Sequence, residues 1–313
     1  MNIKQSKNWG NYLETLGWVS VYKPQAIRIK PLLFWSIIKI QRPHNLSEFF
    51  LKKVDSVARK ERALFAIIEP TLLTDEKFLP LFKYRKTKEP LSFTKTILID
   101  LKPDLKKIFR TFSKDTKQRL KKRCLLEEEA SLASDRKNPK ISIYKIDNEE
   151  RLREFYSLFK DTAKQKKFWV PSFNEMLLKA KSFKNSGFLT ISYQKNIPTA
   201  AAFILLEEDT AYYEHAAHNP RLDIDAPYEI LFETIKECKK RSCSSLDLCG
   251  IYDGRFLRAT KKWKRFSVFK RKWGGKEVLY AYPHIKYFWP FYKEKQFVMQ
   301  AFKRWFKSLF QVL

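Results

Sequence analysis

A chain of 313 residues that is 44% hydrophobic and 15% aromatic has enough apolar side chains for two cores, which excludes an intrinsically disordered protein. Its formal charge of +29, from 63 Lys and Arg against 34 Asp and Glu, selects polyanionic partners: nucleic acid, an anionic membrane surface or a phosphorylated substrate. The four cysteines, Cys124, Cys238, Cys243 and Cys249, form no CxxC pair and no zinc spacing with the four histidines, so reduced thiols in a cytosolic protein are expected, with neither metal nor other cofactor.

Taken from the start, MNIKQSKNWGNYLE offers no apolar run and no small-residue cleavage pattern, so no secretory signal is expected. The stretch PLLFWSIIKIQ is interrupted at Lys39 and is too short to span a bilayer. Short runs rich in Ile, Phe and Tyr predict strands at 36–42, 64–69, 93–100 and 140–146. Lys39 is a lone cation in one of them, and it either snorkels at a strand edge or meets an anion. Asp100 closes the strand ILID, where it either faces a site as a proton acceptor or caps the helix that follows.

That helix is predicted over 103–123, with Leu105, Ile108, Phe109, Phe112, Thr116 and Leu120 at helical spacing. Together with Lys102 it carries ten Lys and Arg, more than a solvated face needs. Arg110, Lys114, Lys117, Arg119 and Lys121 are therefore read as a track for RNA phosphates, with a generic basic surface as the alternative. The polar stretch 126–140 reads as a boundary.

A second, similar series follows. It comprises a helix over 148–166, strands FLTISY, TAAAFILL and AYYEHA, a helix from Ala226 to Lys240, and strands SLDLCGIY and EVLYAY. Asp225 is placed to cap the second helix, with Pro227 in its first turn. The pattern predicts an α/β protein. Tyr212 and Tyr213 point to opposite faces of their strand, and Tyr213 is taken as the substrate-facing ring. His215 and His218 show no metal spacing and are read as structural or exposed. Residues 291–313 form a basic amphipathic helix in which Val298, Phe302, Trp305, Leu309 and Leu313 share a face. It either docks on its own domain or lies on an anionic membrane surface. Near the end, FKRKWGG (Phe269 to Gly275) spends two of only seven glycines beside an aromatic–lysine pair, which suits a backbone turning tightly against a ligand.

In order along the chain, NYLETLGW, SIIKIQRP, ILIDL with KDTKQRLKK, AYYEHAA, APYEILFETIKECKKRSCSSLDLCGIYDG and FKRKWGG resemble the segments of the Fem-type aminoacyltransferases. These are the non-ribosomal peptidyltransferases that add amino acids to peptidoglycan precursors. The resemblance implies two tandem GNAT-like acyltransferase domains of mixed sheets flanked by helices. They would cover 1–139 and 140–285, with the C-terminal helix 286–313 completing the first. It also implies an aminoacyl-tRNA donor, a lipid-linked or nucleotide-linked precursor as acceptor, a monomer, and a place in the cytoplasm or at the inner face of the plasma membrane. By the same resemblance Phe269 and Lys270 lie near the end of the donor tRNA, with Lys272 alongside, and Lys270 would stabilise the oxyanion of acyl transfer. Lys39 would bind a diphosphate of the acceptor. Where the family commonly carries an arginine this chain has Gln165, so Lys164 and Lys166 are left to serve as point charges.

Three rivals remain open at the level of sequence. A CoA-dependent acetyltransferase would want a Q/R-x-x-G-x-G loop, and the glycines at 10, 17, 187, 250, 254, 274 and 275 make none. An aminoacyl-tRNA-dependent transferase acting on protein N-termini would share the tRNA footprint without the diphosphate grip. A non-enzymatic binder of RNA or anionic membrane would explain the charge but not the ordered segments.

Overall fold

Two mixed β-sheets organise the chain in the computed structural model, which describes residues 1–22, 25–121 and 140–289. The first elements are α1 (Lys7–Thr15), β1 (Val19–Val21), β2 (Ile27–Pro31), β3 (Ser36–Gln41), α2 (Glu48–Lys60), β4 (Ala63–Glu69) and β5 (Arg85–Lys86). Then come β6 (Lys95–Asp100), α3 (Leu105–Thr111), the helix α4 described over 114–121, β7 (Lys140–Lys145), α5 (Glu149–Lys166) and α6 (Phe173–Ser182). The remainder is β8 (Gly187–Gln194), β9 (Ile197–Glu207), β10 (Thr210–His218), α7 (Ala226–Lys240), β11 (Ser245–Asp247), α8 (Leu257–Thr260), α9 (Lys264–Arg271), β12 (Lys276–Leu279) and β13 (His284–Tyr287).

Contacts divide the chain into two units. The first holds Met1–Lys95, Asp253–Lys262 and the chain from Leu279; the second holds Thr96–Tyr252 and Trp263–Val278. In the first unit the sheet order is β1-β2-β3-β4-β13-β5, with β3 and β4 parallel and the other pairs antiparallel. Alternation assigns its two faces. Ile27, Ile29, Ile38, Ile40, Ala66 and Ile68 form a core with Phe50, Leu51, Val54 and Ala58 of α2. The opposite face carries Arg28, Lys39, Gln41 and Glu69, all buried.

The second unit has the order β12-β6-β11-β10-β9-β8-β7. One face places Ile97, Ile99, Ala202, Ile204, Ala211, Tyr213 and Leu246 against Ile230, Leu231 and Ile235 of α7. On the other face Phe203 meets Phe155 of α5 at 5.7 Å between ring centroids.

Several elements depart from the sequence expectations for physical reasons. The helix predicted over 103–123 breaks at Phe112, whose backbone is extended (ψ 152°). Phe112 is drawn into the core, 4.9 Å from the Trp273 ring, while Ser113 N–H donates to Lys272 O at 2.8 Å. Ser113 Oγ then accepts from Thr116 N–H and starts α4. Asp225 does not cap α7; Asp223 accepts from the Asp225 and Ala226 N–H groups instead, and the Asp225 carboxylate is paired with Arg119. SLDLCGIY is strand only over its first three residues, and EVLYAY divides between β12 and the turn before β13. β6, α3 and α4 join the second unit, because β6 pairs antiparallel with β11 from Asp100↔Ser245 to Leu98↔Asp247. The boundary expected at 126–140, Cys124 and the helix of 291–313 lie outside the described residues, apart from Lys140 at the start of β7.

FKRKWGG ends a helix and turns. Phe269, Lys270 and Arg271 close α9; Gly274 and Gly275 follow at φ +68° and +82°. A Cβ on Gly275 would stand 2.6 Å from Leu98 O, and one on Gly274 would stand 2.5 Å from Thr111 Oγ1. The glycines let the turn press on β6 and α3. Gly275→Ala is expected to destabilise the protein by about 1–3 kcal/mol, because it adds both left-handed strain and a backbone clash. Urea unfolding would measure it, and an unchanged midpoint would contradict this account of the turn.

Candidate functional site

In the second unit β10 and β11 run parallel from Thr210↔Ser245 to Tyr212↔Asp247, and there β11 ends. Beyond that point β10 continues with β9 alone and carries a bulge between Tyr213 and His215. The side chains around this parting are ionisable and buried. Lys270, reaching in from α9, donates to Cys249 O at 2.5 Å and Gly250 O at 2.9 Å. Two of its three N–H donors are thereby used, and the third makes no hydrogen bond among the described residues. Burial pushes its pKa down to about 8, against the attraction of Cys249 and Asp247, so the amine stays mostly charged near neutrality.

Asp247 sets the shape of that grip. Its carboxylate accepts from the Thr96 hydroxyl and from Cys249 N–H at 2.7 Å. Cys249 sits at φ +53°, a left-handed conformation that costs a non-glycine residue on the order of 1 kcal/mol or more. The bond from Asp247 holds it there and turns its carbonyl toward Lys270. Burial raises the Asp247 pKa to about 6, partly offset by these hydrogen bonds and by Lys270. On the neighbouring strand Glu214, half-buried, pairs with buried Lys179 of α6 at 3.3 Å, and Lys179 also lies 3.5 Å from His215 Nε2.

The other sequence candidates of this unit fall in different places. Phe269 turns away from Lys270 and packs edge-on against Tyr228 at 5.1 Å and Trp273 at 6.1 Å, which assigns it to the rim of the core. Tyr213 is a core residue, with burial raising its pKa. Tyr212 lies in register with Asp247 and shares its face. Asp100 is exposed at the far end of β6, where it accepts from Lys102 N–H at 3.0 Å; Asp104, not Asp100, caps α3. Lys164, Gln165 and Lys166 lie exposed in the last turn of α5. Burial and the Lys166 charge push His218 down to about 4, so it is neutral and structural.

The basic track divides in two. Lys272 donates to Asp115 at 2.5 Å, Arg119 pairs with Asp115 at 2.9 Å and with Asp225, and both cations lie near the Tyr228 ring. These two charges are neutralised inside the unit and hold α4, α7 and the FKRKWGG turn together. Lys117 donates to Arg110 O at 3.3 Å. Arg110, Lys114 and Lys121 remain exposed, available to an external polyanion.

The first unit holds a second ionisable centre. Lys39, directly opposite Arg28 across β2 and β3, is 7% exposed, and Arg28 and Lys4 are 1% and 6% exposed. The Lys39 ammonium lies 4.0 Å from the Trp18 ring, and that of Lys4 lies 3.4 Å from Trp9. Arg28 Nη2 donates to Ser6 O at 2.9 Å, whereas Nε and Nη1 are buried without a hydrogen-bond partner. Burial first, then repulsion from Lys4 and Arg28, pushes Lys39 from 10.5 to about 7, with Glu69 opposing. Glu69 is largely occupied: it accepts from Leu91 N–H at 2.6 Å, Ser92 N–H at 3.0 Å and the Ser92 hydroxyl. Lys39 and Arg28 thus face each other as two buried cations, with Glu14 acting on Arg28 and Glu69 on Lys39, and an anion would offset the cost of their burial.

Sequence reading found Lys39 but missed Arg28 and Lys4. The signal was present in AIRIKP, where Arg28 and Lys30 alternate with Ile27 and Ile29 and so mark a strand with one basic face. Asp247 was likewise visible as a carboxylate between leucines in SLDLCG. Arg42, which follows Lys39, is structural: it donates to Pro70 O at 2.9 Å and to Phe93 O, and its guanidinium lies 3.9 Å from the Tyr280 ring.

The fold has counterparts among known proteins. The acetyltransferase (GNAT) domain family matches residues 128–265, the span that carries the parting of β10 and β11. A crystal structure of FemX superposes with a TM-score of 0.75 at 12% identity, covering 93% of this chain and 94% of that one. The chain has the fold of FemX. The FemX-like fold also extends to the C-terminal domain of a putative lysylphosphatidylglycerol synthetase from Agrobacterium fabrum, with a TM-score of 0.61 at 14% identity over 90% of this chain and 87% of that one. L-PGS from Bacillus licheniformis follows, with a TM-score of 0.54 at 14% identity over 89% and 85%. Comparison with curated protein sequences gives no match. Among the described residues no helix is long and apolar enough to cross a membrane.

Proposed function

We propose that the protein is an aminoacyltransferase that moves an aminoacyl group from aminoacyl-tRNA to an amine of a peptidoglycan-precursor stem peptide. The observation that carries this reading is the Lys270 ammonium, clamped at the parting of β10 and β11 by two carbonyls, 4.8 Å from the Phe266 ring, with one N–H outside any hydrogen bond among the described residues. A neutral acceptor amine attacks the ester carbonyl, and the carbonyl oxygen gains negative charge as the C–N bond forms. The free N–H of Lys270 meets that charge, which exists only in the transition state and the intermediate, so the contact accelerates the reaction. Collapse breaks the C–O bond to the ribose, whose oxygen leaves with a proton from the attacking nitrogen, and an amide remains.

The buried pair Lys39 and Arg28 of the first unit supports an acceptor carrying a diphosphate, which would add negative charge beside them. Asp247 acts here as a positioning residue through Cys249. Exposed Arg110, Lys114 and Lys121 are the remaining candidates for tRNA phosphates. Replacing all three with alanine is expected to weaken tRNA binding and to flatten the plot of log affinity against log salt by about 2–3 units. Filter binding over a salt series measures this, and an unchanged slope would remove the track.

The deciding assay supplies tRNA charged with a mixture of labelled amino acids. Its acceptors are a nucleotide-linked muropeptide, the lipid-linked precursor and, because one structure of like fold comes from a putative lysylphosphatidylglycerol synthetase, phosphatidylglycerol. Label on either muropeptide supports the proposal. Label on phosphatidylglycerol alone, or on no acceptor, refutes it.

A further inference from the structure

We infer that one end of the first unit's sheet is a docking surface for an anionic lipid bilayer. The turn between β2 and β3 is closed by Leu32 N–H donating to Trp35 O at 2.7 Å, and it projects Leu33 and Phe34 at 88% and 69% exposure. Two adjacent large apolar side chains at a tight hairpin tip cost solubility and contribute nothing to a core. Trp35 stands directly behind them, with Trp289 4.3 Å away edge to face. Indole rings favour the level of lipid headgroups, where an apolar body and a polar N–H are both accommodated.

Topology brings cations to the same end. Ser36 N–H donates to Arg62 O, which sets the end of α2 beside the hairpin, and Arg59, Lys60 and Arg62 are all exposed there with only Glu61 among them. Phe288 N–H donates to Leu64 O and so brings Trp289 to this edge. The chain continues from Trp289 into residues 290–313, whose sequence holds five Lys and Arg against one Glu. An apolar knuckle backed by tryptophans and flanked by cations matches the layered chemistry of an anionic membrane surface: acyl chains, headgroup level, then phosphate. A protein partner would need a complementary apolar pocket with an acidic rim; a bilayer supplies both layers without one. The inference is independent of the reaction proposed above.

Co-sedimentation of the full chain with vesicles tests it. The vesicles are phosphatidylcholine alone or phosphatidylcholine mixed with phosphatidylglycerol. The wild type is expected to partition onto the mixed vesicles, and Leu33→Ser combined with Phe34→Ser to lower the partition coefficient about tenfold or more at fixed salt. Lys60→Glu with Arg62→Glu should weaken binding and flatten its salt dependence. Both pairs of side chains are exposed, so unchanged thermal unfolding is the control for folding. If the wild type fails to partition, or the Leu33→Ser, Phe34→Ser variant binds as the wild type does, the surface is not a membrane site. The second result would leave charge alone, or residues 290–313 alone, responsible for any binding.

Discussion

Lys270→Ala should slow aminoacyl transfer by about 10²–10³ at pH 7 while leaving tRNA affinity nearly unchanged. The expected loss falls in kcat because the contact strengthens as the carbonyl oxygen gains charge, and binding of the ground-state ester uses it little. The pH dependence separates this role from a structural one. With its pKa lowered to about 8 by burial, Lys270 loses its proton just above neutrality, so the wild-type rate should turn downward through that region. Lys270→Arg keeps the charge to far higher pH and should recover part of the rate while moving the alkaline limb upward. Asp247→Asn, by weakening the hold on Cys249, should lower kcat and shift the same limb with little change in KM. Single-turnover rates across a pH series measure all three. A Lys270→Ala enzyme within about threefold of wild type, with the alkaline limb in place, would remove the oxyanion role.

Much of this architecture was legible in the sequence because its central strands are short apolar runs, buried on both faces, and its helices keep one buried face at helical spacing. Ile37 to Ile40, Phe188 to Tyr193 and Ala226 to Lys240 are elements whose local pattern and tertiary environment agree. The failures are places where a distant partner overrode the local pattern. The helix of 103–123 breaks because Phe112 and Ser113 answer to Trp273 and Lys272, far away in the chain, and no periodicity within the helix reports that. Arg119 and Lys272 looked like two more cations of a polyanion track, yet two carboxylates from separate elements neutralise them. At the candidate site, Lys270 was legible through FKRKWGG, but its carbonyl partners depend on a left-handed Cys249, and only the folded backbone displays that conformation. Arg28 was hidden for a different reason. A basic residue in a strand reads as solvent-facing until the opposite layer, here Ser6, Gly10 and Tyr22, is known to cover it.

Lys39→Met should make the free protein more stable and weaken its binding of a diphosphate. A lysine whose pKa falls from 10.5 unfolded to about 7 folded binds more protons in the unfolded state throughout that interval. Stability must therefore rise with pH from about 7 to 10.5; below this window the full penalty applies, and it is gone once the unfolded lysine also loses its proton. At neutral pH and below, removing the ammonium relieves a cost on the order of a few kcal/mol, since methionine fills the space without a charge beside Arg28 and Lys4. Urea unfolding across pH should thus give a higher midpoint for Lys39→Met at pH 6 and a shallower rise above 7, with Lys270 supplying the slope that remains. The anion reverses the sign. A bound diphosphate holds Lys39 protonated, so at pH 8 binding should take up protons, seen as a calorimetric heat that depends on the ionisation enthalpy of the buffer. Pyrophosphate serves as the probe, followed by the nucleotide-linked muropeptide. Lys39→Met should lose both the proton uptake and about two orders of magnitude or more in affinity, because a paired, buried charge contact is worth several kcal/mol. If the variant binds the diphosphate as tightly as wild type, the cations of the first unit belong to the fold alone. If it binds weakly but is no more stable, Lys39 is already neutralised in the free protein and the depressed pKa is not its cause.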